Sequence, residues 1–461
     1  QDVPTGRPQL GPLATGSGAS ESYGTYAQDA TQAALIEKEY NILSLDEALA
    51  NKEAVEQAML DELERWRGLE SFRRQPRSEA RNILDARWVL KWKLMQLARP
   101  IAGQKAAIEK VRQVKARMTV RGYRDAQAAD IATFSGTTSR WGQRLVVISA
   151  VQAGWDLFSL DVSQAFLRGM PYSELAKLDG EISRDVSFTV PPGSIPLLQK
   201  LPGYADFDGR TEVLKMLRPG FGLKDAPRMW NLVLVKTLAE FGLHPTTTDP
   251  QLFVKHDSSG QLELIVSTHV DDLKGAGEDK VRDAFIAHLE TKFGKLKHES
   301  KSFEHVGITH SQQPDGSIWL HQHEYAKTLS LIDMARYRHE DLDSPVPTGL
   351  VTAYQTLLGG VAWMCMTNIA CCVYASYLQR HSKSPCFRHV RDLNRLVKWI
   401  KLHPQTLKYS KLEPPLKLVC VSDSSFSAGD TEGLVMRGCI LLLVEDRGSS
   451  SKGTAVSPCG R

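Results

Sequence analysis

The sequence predicts an α+β fold built from several subdomains, and three observations lead to this class. Strand-like and helix-like stretches interleave irregularly along the 461 residues, without a repeat of about 20–50 residues. Hydrophobic residues make up 42% of the chain and charged residues 24%, which are ordinary globular values. No stretch approaches the roughly 18 uninterrupted apolar residues that a membrane-spanning helix needs. The composition therefore excludes a wholly disordered chain, a collagen-like fibre and a membrane protein.

The N-terminal part divides into a leader and a helix. Residues 1–45 are rich in Gly, Ser, Pro, Gln and Ala, which predicts a disordered leader or linker. From Leu45 to about Phe72 apolar residues recur at helical spacing, and Asp46 is placed to cap the helix. The apolar face of this helix carries Val55, Met59, Leu63 and Trp66.

A strongly basic segment follows, although the net charge of the whole chain is only +4. Between Arg87 and Arg124 the single acid is Glu109. The basic residues there are Arg87, Lys91, Lys93, Arg99, Lys105, Lys110, Arg112, Lys115, Arg117, Arg121 and Arg124. Alternating patterns in Trp88–Lys93 and Ala116–Tyr123 predict a two-stranded hairpin. An ordinary solvated face explains such a run too, but its density and interleaved aromatic residues favour a polyanionic partner.

The remainder is mixed. Helices are predicted at Trp141–Ala153 and Asp279–Lys292, and residues 354–402 are predicted to be largely helical. A loop followed by a helix is predicted for Val213–Gln251. The predicted strands are Asp156–Val162, Glu263–Val270, the regions around Phe303–His310 and Ser317–His321, Leu418–Val421 and Gly438–Val444.

The most informative segment is an apolar strand that runs into two adjacent carboxylates, Asp271 and Asp272. Neighbouring residues of a regular strand point to opposite faces, but at a tight turn both carboxylates can approach one metal site. Aspartate is also a common turn residue, so a purely structural turn is the favoured explanation of this pair when it is taken alone.

A second apolar strand ends in Asp161, whose alternative role is that of a turn or helix-capping residue. Three carboxylates that converge at strand ends repel one another unless cations neutralise them. Oxygen ligands of this kind suit Mg²⁺, and two such ions can stabilise the attacking and leaving oxygens of a phosphoryl transfer. Between the two strands lies Leu214–Trp230, whose Gly and Pro residues predict either a surface loop before a helix or a functional loop.

The order of these segments resembles the reverse transcriptase region of the Pol polyprotein of copia-type LTR retrotransposons, from about residue 50 to the C-terminus. Seven boxes in the family's order, with the two fingers strands counted as one box, make this resemblance specific. The matching residues are Trp88-Val89-Leu90-Lys91, Lys115-Ala116-Arg117-Met118, Leu160-Asp161-Val162 with Ala165-Phe166-Leu167 and Gly169, Gly222-Leu223-Lys224 with Ala226-Pro227-Arg228 and Trp230, His269-Val270-Asp271-Asp272-Leu273, Phe303 with Val306-Gly307-Ile308, Leu320 with Gln322 and Tyr325-Ala326, and Tyr354 with Leu357-Leu358-Gly359.

The resemblance implies a right-hand polymerase with fingers, palm and thumb, which acts as an RNA-directed DNA polymerase. The implied boundaries are fingers and palm at 46–330, a mainly helical thumb or connection at 331–410, and the truncated start of a ribonuclease H-like domain at 411–461. It also implies that Asp161, Asp271 and Asp272 form the catalytic cluster for two Mg²⁺ ions, with Mn²⁺ as an alternative ion. Asp161 and Asp271 are then the principal ligands.

Further roles follow from the same resemblance. Lys115 and Arg117 are implied to reach the incoming triphosphate, and Phe221 and Gly222 to line the nucleotide pocket. Phe166 is implied to lie under the sugar and to exclude a 2′-hydroxyl. His269 and Gly307 are implied to contact the primer or template. The implied partners are an RNA template, a DNA primer, their hybrid, dNTPs and the rest of the Gag–Pol polyprotein, without a membrane; the implied location is a cytoplasmic virus-like particle and also the nucleus.

The sequence departs from the family's pattern at several positions. His269 and Phe221 each stand where the family has Tyr, and Asp225 stands where it has Gln, which is expected to add a negative charge near the nucleotide pocket. The stretch 170–208 is longer than expected, which indicates an insertion. Asp423 resembles the first ribonuclease H carboxylate, and a single carboxylate cannot hold two metals. Ribonuclease H activity is therefore not expected from this chain.

Other readings remain open at this point. The first residue is Gln, not Met, no signal peptide follows it, and the ribonuclease H segment is cut off, so a truncated piece of a longer chain is expected. A decayed or domesticated fragment that binds nucleic acid without catalysis is the main alternative. A nucleoside triphosphatase is disfavoured because the sequence contains no Gly-x-x-x-x-Gly-Lys-Ser/Thr loop. Seven cysteines without paired metal-site spacing favour a reducing intracellular compartment.

Overall fold

The structure is a computed structural model that describes residues 42–101, 104–178, 182–425, 436–447 and 457–459. The predicted leader therefore lies almost entirely outside the described residues. The strands within them are β1 (Phe72–Pro76), β2 (Ile83–Ile101), β3 (Gln104–Val120), β4 (Leu157–Asp161), β5 (Ser187–Thr189), β6 (Glu212–Met216), β7 (His244–Pro245), β8 (Leu252–His256), β9 (Leu262–His269), β10 (Asp272–Gly277), β11 (Lys297–Ser300), β12 (Ser302–His305), β13 (Ile308–Gln312), β14 (Ile318–His321), β15 (Thr406–Tyr409), β16 (Leu416–Ser425), β17 (Met436–Glu445) and β18 (Ser457–Cys459).

Helices occupy the connections between the strands and most of the C-terminal third. Those of the described residues are α1 (Leu45–Ala50), α2 (Lys52–Gly68), α3 (Arg140–Ala153), α4 (Tyr172–Leu175), α5 (Ile195–Leu198), α6 (Ala226–Glu240), α7 (Asp279–Phe293), α8 (His323–Thr328), α9 (Thr348–Met364), α10 (Cys372–Arg380) and α11 (Phe387–Leu402). In this part of the chain no helix combines the length and the apolar character needed to cross a bilayer.

The strands form four sheets, and nearly all of their pairings are antiparallel. The first sheet has the order β1-β6-β5-β2-β3, in which only β2 and β5 run parallel. The second, with six strands, has the order β11-β4-β10-β9-β8-β7. The third has the order β12-β13-β14-β15, and β16, β17 and β18 form the fourth. Irregular alternation of strands and helices confirms the predicted α+β class.

The six-stranded sheet is covered on both faces, which explains why its strands are almost continuously apolar. Alternate residues of β4, β9 and β10 pack on α6 and α7, with Leu160, Val266 and Leu273 fully buried. The residues between them face α3 and the four-stranded sheet, as Leu157 and Ile265 do. Because side chains alternate along a strand, Asp161 and Asp272 belong to this second face.

The first sheet packs on α2 through the residues that the helical pattern indicates. Val55, Met59, Leu63 and Trp66 are all buried, and Trp66 has ring contacts with Phe72, Phe188 and Phe221. The predicted basic hairpin is confirmed: β2 and β3 pair in register from Ala86↔Val120 outward. A separate apolar core joins α8, α9, α10 and α11, which confirms the predicted helical character of residues 354–402.

Three local predictions are wrong. Ser44, not Asp46, caps α1, since its side chain accepts a hydrogen bond from the Glu47 amide while Glu47 bonds back to the Ser44 amide. Residues 213–216 belong to strand β6 because their backbone pairs with β1 and β5 in the first sheet. Phe303–His310 is not one strand: β12 and β13 form a hairpin that turns at Val306-Gly307, where both residues have positive φ.

Candidate active site

Four polar side chains form a row across the end of the six-stranded sheet. In the ladder register Lys297 lies opposite Asp161, Asp161 opposite Asp272, and Asp272 opposite His269. Directly opposite residues of antiparallel strands project to the same face, so all four belong to the face that α3 covers further along the sheet. Lys297 and His269 thus flank the carboxylates, and Lys297 is a member of the site that sequence reasoning missed.

Asp161 and Asp272 form the type of cross-strand pair in which the side chains of neighbouring antiparallel strands are closest. The next rung is hydrogen-bonded, since the Val162 amide donates to the Asp271 carbonyl at 3.1 Å. Hydrogen-bonded and non-bonded pairs alternate along an antiparallel ladder, which makes Asp161 and Asp272 a non-bonded pair. In such pairs the Cα atoms are only about 4.5 Å apart and the side chains are closest.

The turn that carries Asp271 has an unusual backbone. His269 and Asp272 are joined by two residues, of which Val270 has φ 60°. A β-branched residue in the left-handed region is strained, so the surrounding structure must hold it. Trp230 supplies that support: its buried indole Nε1 donates to the Val270 carbonyl at 2.6 Å. The sequence places Trp230 in a matching box but gives no sign of this contact, because the two residues are 40 positions apart.

The electrostatics of the row favour cations. Burial, followed by the charges of Asp271 and Asp161, raises the pKa of Asp272 to about 6. Burial and the Asp161 charge also raise the pKa of Asp271, while Arg117 and His269 act in the opposite direction. Carboxylates that are partly dehydrated and adjacent to one another are stabilised as anions when a divalent cation is added.

The donor set fits Mg²⁺, although it is not a closed metal cage. Among the described residues no three His, Cys, Asp or Glu side chains are arranged to hold a metal ion. Mg²⁺ does not require such a cage, because it is commonly held by one or two carboxylates and completes its shell with water and substrate phosphates. The hard oxygen donors of Asp161, Asp271 and Asp272 are of the right chemical type.

The residues expected to bind a nucleotide are brought together beside this row. The Arg117 guanidinium lies over the Phe221 ring, 4.2 Å from its centroid, and the Phe166 and Phe221 ring centroids are 5.5 Å apart. Lys115 lies two residues before Arg117 on β3, directly opposite Lys91. Its pKa is lowered by partial burial and then by Arg117 and Lys93, whereas Asp161 raises it. The cations of the hairpin and the carboxylates of the sheet therefore interact.

Gly222 allows the loop before α6 to dock on the end of β3. Its φ is +91°, and a Cβ at this position would lie 2.1 Å from the Val120 carbonyl oxygen. Gly122 approaches from the other side, where a Cβ would lie 2.3 Å from the Gly222 carbonyl oxygen. The Val120 amide donates to the Phe221 carbonyl at 2.8 Å. Only glycine at these two positions permits such an approach.

The β12–β13 hairpin, which carries Gly307 at its turn, packs on the face of the sheet that carries the carboxylate row. Lys274 lies two residues after Asp272 on β10, and its Nζ is 3.3 Å from Nε2 of His310 on β13. At Gly307, φ is +66° and a Cβ would lie 3.3 Å from the Trp363 indole nitrogen. Gly307 thus lies between the sheets and α9.

Two polar residues near the site have buried, charged partners that the sequence does not reveal. Gln164, with φ 60°, donates to the buried Glu62 carboxylate at 3.0 Å, a contact across 102 positions that the sequence does not reveal. Asp225 is expected to add a negative charge near the nucleotide pocket, and in the structure that charge is paired within the protein. Its carboxylate is buried and bonded to Arg184 Nε at 2.8 Å. Asp423 is exposed on β16, opposite Gly438 of β17.

Comparison with known proteins agrees with this arrangement. Residues 98–337, just over half of the chain, match the family described as reverse transcriptase (RNA-dependent DNA polymerase). The chain therefore belongs to the reverse transcriptase family. It is similar to two retrovirus-related Pol polyproteins of Arabidopsis thaliana, from transposon RE1 at 25% identity and from transposon RE2 at 26%, and each alignment covers 70% of this chain and 21% of the relative.

These relatives confirm the resemblance to copia-type Pol polyproteins. The chain spans about a fifth of the length of the two Arabidopsis polyproteins. A solved structure of a foamy viral protease–reverse transcriptase with double-stranded DNA aligns at a TM-score of 0.37 and 11% identity, over 75% of this chain and 48% of that one.

Proposed function

We propose that this chain is the RNA-directed DNA polymerase of a copia-type retrotransposon, which adds dNTPs to a primer on an RNA or DNA template. The observation that carries the proposal is the carboxylate row, in which Asp161 and Asp272 lie side by side next to the Asp271 turn. Lys115 and Arg117 of the basic hairpin lie close enough to the row for electrostatic interaction with Asp161 and Asp271, respectively. Three carboxylates facing two cations is an arrangement suited to holding a metal-bound triphosphate.

In the proposed reaction the primer 3′-oxygen attacks the α-phosphorus of the dNTP and pyrophosphate leaves. Two Mg²⁺ ions held by Asp161 and Asp271 would supply charge neutralisation at the attacking and leaving oxygens. Asp272, beside Asp161, adds to the negative potential that holds the cations. Lys115 and Arg117 orient the triphosphate through charge-assisted hydrogen bonds. The chain's contribution is therefore positioning and electrostatics, with no covalent intermediate.

The nucleotide pocket is formed by aromatic rings. Phe166 is partly buried against Phe221, and the Arg117 guanidinium lies over the Phe221 ring. A ring fixed in this way can exclude a 2′-hydroxyl by its bulk, so the pocket selects deoxynucleotides. Gly222 exposes backbone rather than a side chain next to it.

Template and primer are proposed to bind through the basic hairpin and the β12–β13 turn. Contacts from the hairpin go to phosphates, so binding is independent of sequence and weakens as salt is raised. An RNA–DNA hybrid is recognised by its A-form shape. His269 lies at the end of the carboxylate row, and we propose that it and Gly307 contact the primer terminus.

The domain assignment is part of the proposal. Residues 46–330 form fingers and palm, 331–410 a helical thumb or connection, and 411–461 the start of a ribonuclease H-like domain. Asp423 is then proposed to be a carboxylate of that ribonuclease H-like domain. The chain is proposed to act as part of a Gag–Pol polyprotein in a cytoplasmic particle, with a nuclear stage.

The experiment is dNTP incorporation on poly(rA)/oligo(dT) with Mg²⁺. The wild type is compared with Asp271→Asn and with Asp257→Asn, a matched control in the exposed β8–β9 turn. We expect incorporation by the wild type and the control, and a loss of about 10³-fold or more for Asp271→Asn.

Binding of a labelled hybrid is measured in parallel. Binding without incorporation by the wild type would contradict the polymerase proposal and favour a non-catalytic nucleic-acid-binding fragment. Equal activity of Asp271→Asn and the wild type would contradict the assignment of the site.

A further inference from the structure

A buried ionic cluster lies outside the carboxylate row. The Arg184 side chain is 0% exposed, and its two carboxylate partners, Asp125 and Asp225, are 0% and 2% exposed. Arg184 Nη2 donates to Asp125 at 2.7 Å and Nε donates to Asp225 at 2.8 Å. Its remaining nitrogen, Nη1, donates to Gln127 Oε1 at 2.8 Å. Each nitrogen of the guanidinium therefore has a partner.

The three charges come from three separate segments. Asp125 follows β3 and accepts further hydrogen bonds from Asn82 at 2.8 Å and from the Gln127 amide at 2.9 Å. Arg184 precedes β5 in the stretch that is longer than the family pattern. Asp225 stands at the N-cap position of α6 but makes no capping hydrogen bond, so its carboxylate is directed to Arg184 instead.

The chemistry of the cluster is specific to arginine. Charged groups are seldom fully buried unless they are paired and hydrogen-bonded, and removing one partner leaves the other uncompensated. Burial works against the charged forms, yet the hydrogen bonds from Arg184 and Asn82 keep the pKa of Asp125 below its usual range. The planar, forked guanidinium is suited to donating hydrogen bonds to two carboxylates and an amide oxygen at once.

The cluster closes a ring of contacts around the nucleotide pocket. From Arg184 the ring passes through Asp225 and back along the loop to Phe221, whose carbonyl accepts from the Val120 amide at 2.8 Å. It then follows the chain from Val120 to Asp125 and returns to Arg184. The loop that carries Phe221 and Gly222 is thus fixed to the hairpin that carries Lys115 and Arg117 at two points, the backbone bond and the ion cluster.

We propose that Arg184 is a positioning residue for the nucleotide pocket: it holds Asp225 and Asp125 together and thereby fixes the Phe221 loop against the end of β3. This inference rests on the proposed polymerase function for its kinetic consequence. Asp225 and Arg184 are then a matched pair, in which the acid in the loop is compensated by a cation from the lengthened stretch. Arg184 does not contact the reacting atoms.

The test compares Arg184→Met with Arg74→Met in the full chain. Arg74 is the control because it also bridges two acids, Glu212 of β6 at 2.7 Å and Asp206 of the preceding turn at 2.6 Å. Steady-state kinetics gives the KM for dTTP and kcat, and hybrid affinity is measured separately. Hydrogen exchange of the Val120 amide and of residues 219–226 reports loop docking without requiring any activity.

We expect Arg184→Met to raise the KM for dTTP about tenfold, because small displacements of positioning groups have large effects, with hybrid affinity unchanged. Exchange at Val120 and 219–226 should accelerate in this variant and not in Arg74→Met. If Arg184→Met fails to fold, Asp225→Asn is used to test the proposal, since it removes one charge of the cluster while keeping a hydrogen-bond acceptor. We expect a smaller rise in the KM for dTTP in this variant.

Unchanged exchange in folded Arg184→Met, or in Asp225→Asn where that variant decides, would overturn the proposal. Faster exchange with an unchanged KM would also overturn it, since the cluster would then be merely structural. If the wild type proves inactive, the polymerase proposal fails, and the exchange data alone decide whether Arg184 fixes the loop.

Discussion

Asp161 and Asp272 lie directly opposite each other at the ends of β4 and β10, in a non-hydrogen-bonded pair that places their carboxylates on the same face of the sheet. Like charges at such a position are destabilising unless they are compensated. In the free protein the nearest compensation within the row is Lys297, opposite Asp161, whose pKa is raised by Glu299 and also by Asp161 and Asp272. The pair is therefore suited to cation binding and poorly suited to stability.

The first prediction concerns pH and Mg²⁺. The pKa of Asp272 is about 6 in the folded protein and about 4 in the unfolded chain. As pH rises from about 4 to 6 the unfolded chain loses its proton first, so stability of the metal-free protein falls over this window. Between about pH 4 and 6 the free energy of unfolding of the wild type should fall by about 1 kcal/mol relative to that of Asp272→Asn. This value is discounted because Asp272 is partly exposed.

Urea unfolding in EDTA at pH 4, 5, 6 and 7 measures this difference. Asp257→Asn is the control: hydrogen bonding from Ser259 lowers the pKa of Asp257, so its contribution to stability changes mainly below about pH 4 and should vary little, with the opposite sign, from pH 4 to 7. Mg²⁺ should stabilise the wild type more at pH 7 than at pH 5. A pH-independent difference between the wild type and Asp272→Asn would refute the account of the carboxylates.

Trp230→Phe tests the support of the Asp271 turn. The variant keeps an aromatic ring to pack against Phe293 but loses the N–H that bonds the Val270 carbonyl. We expect kcat to fall about tenfold while the KM for dTTP stays constant, because the catalytic turn is displaced and the nucleotide pocket is not. Trp319→Phe is the control, since it also loses one indole hydrogen bond, to Ser317. Equal kinetics for both variants would show that the bond to Val270 does not matter.

Phe166→Ala tests the sugar gate. Removing the ring that lies 5.5 Å from Phe221 opens space under the sugar, so ribonucleotides should be admitted. The ratio of kcat/KM for dTTP over UTP should fall by roughly 10- to 100-fold. Phe134→Ala, in a loop where the residue is 81% exposed, should leave this ratio unchanged. An unaltered ratio in Phe166→Ala would remove this residue from the nucleotide pocket.

Lys91→Gln separates stability from binding in the basic hairpin. Lys91 lies directly opposite Lys115, so neutralising it should stabilise the free protein by about 0.2–1 kcal/mol. The same change should weaken hybrid binding and reduce its salt dependence by about one phosphate contact. Thermal unfolding and hybrid titrations at several salt concentrations measure both effects.

The control for that prediction is Lys255→Gln, which breaks an ion pair with Glu263 at 2.6 Å. It should lower stability slightly and leave hybrid binding unchanged. If Lys91→Gln bound the hybrid as tightly as the wild type at every salt concentration, the hairpin would be an ordinary solvated face.

Local patterns were sufficient to predict the elements that carry the site. The β2–β3 hairpin, the strands that end in Asp161 and Asp271, and the apolar face of α2 each follow from spacing within a few residues. Errors occurred where pairing with distant strands decides the structure. Residues 213–216 form a strand because β1 and β5 are available on either side, which the local sequence does not show.

The contacts that hold the site together were beyond sequence reasoning. Trp230 and Val270, Gln164 and Glu62, and Arg184 and Asp225 are 40, 102 and 41 positions apart. Their partners are chosen by tertiary packing, and a polar residue gives no local sign of the atom that it will bond. Asp225 illustrates the consequence, since its charge is expected near the pocket and is instead paired within the protein.

The central claim is that Asp161 belongs to a catalytic carboxylate row, and one comparison tests it most directly. Asp161→Asn changes the last residue of β4 and Asp156→Asn changes the acid directly before its first residue; Asp156 pairs with Lys301 at 3.2 Å. On poly(rA)/oligo(dT) with Mg²⁺, Asp161→Asn should lose incorporation by about 10³-fold or more and still bind the hybrid, while Asp156→Asn stays close to the wild type. Incorporation by Asp161→Asn at the rate of Asp156→Asn would contradict the account.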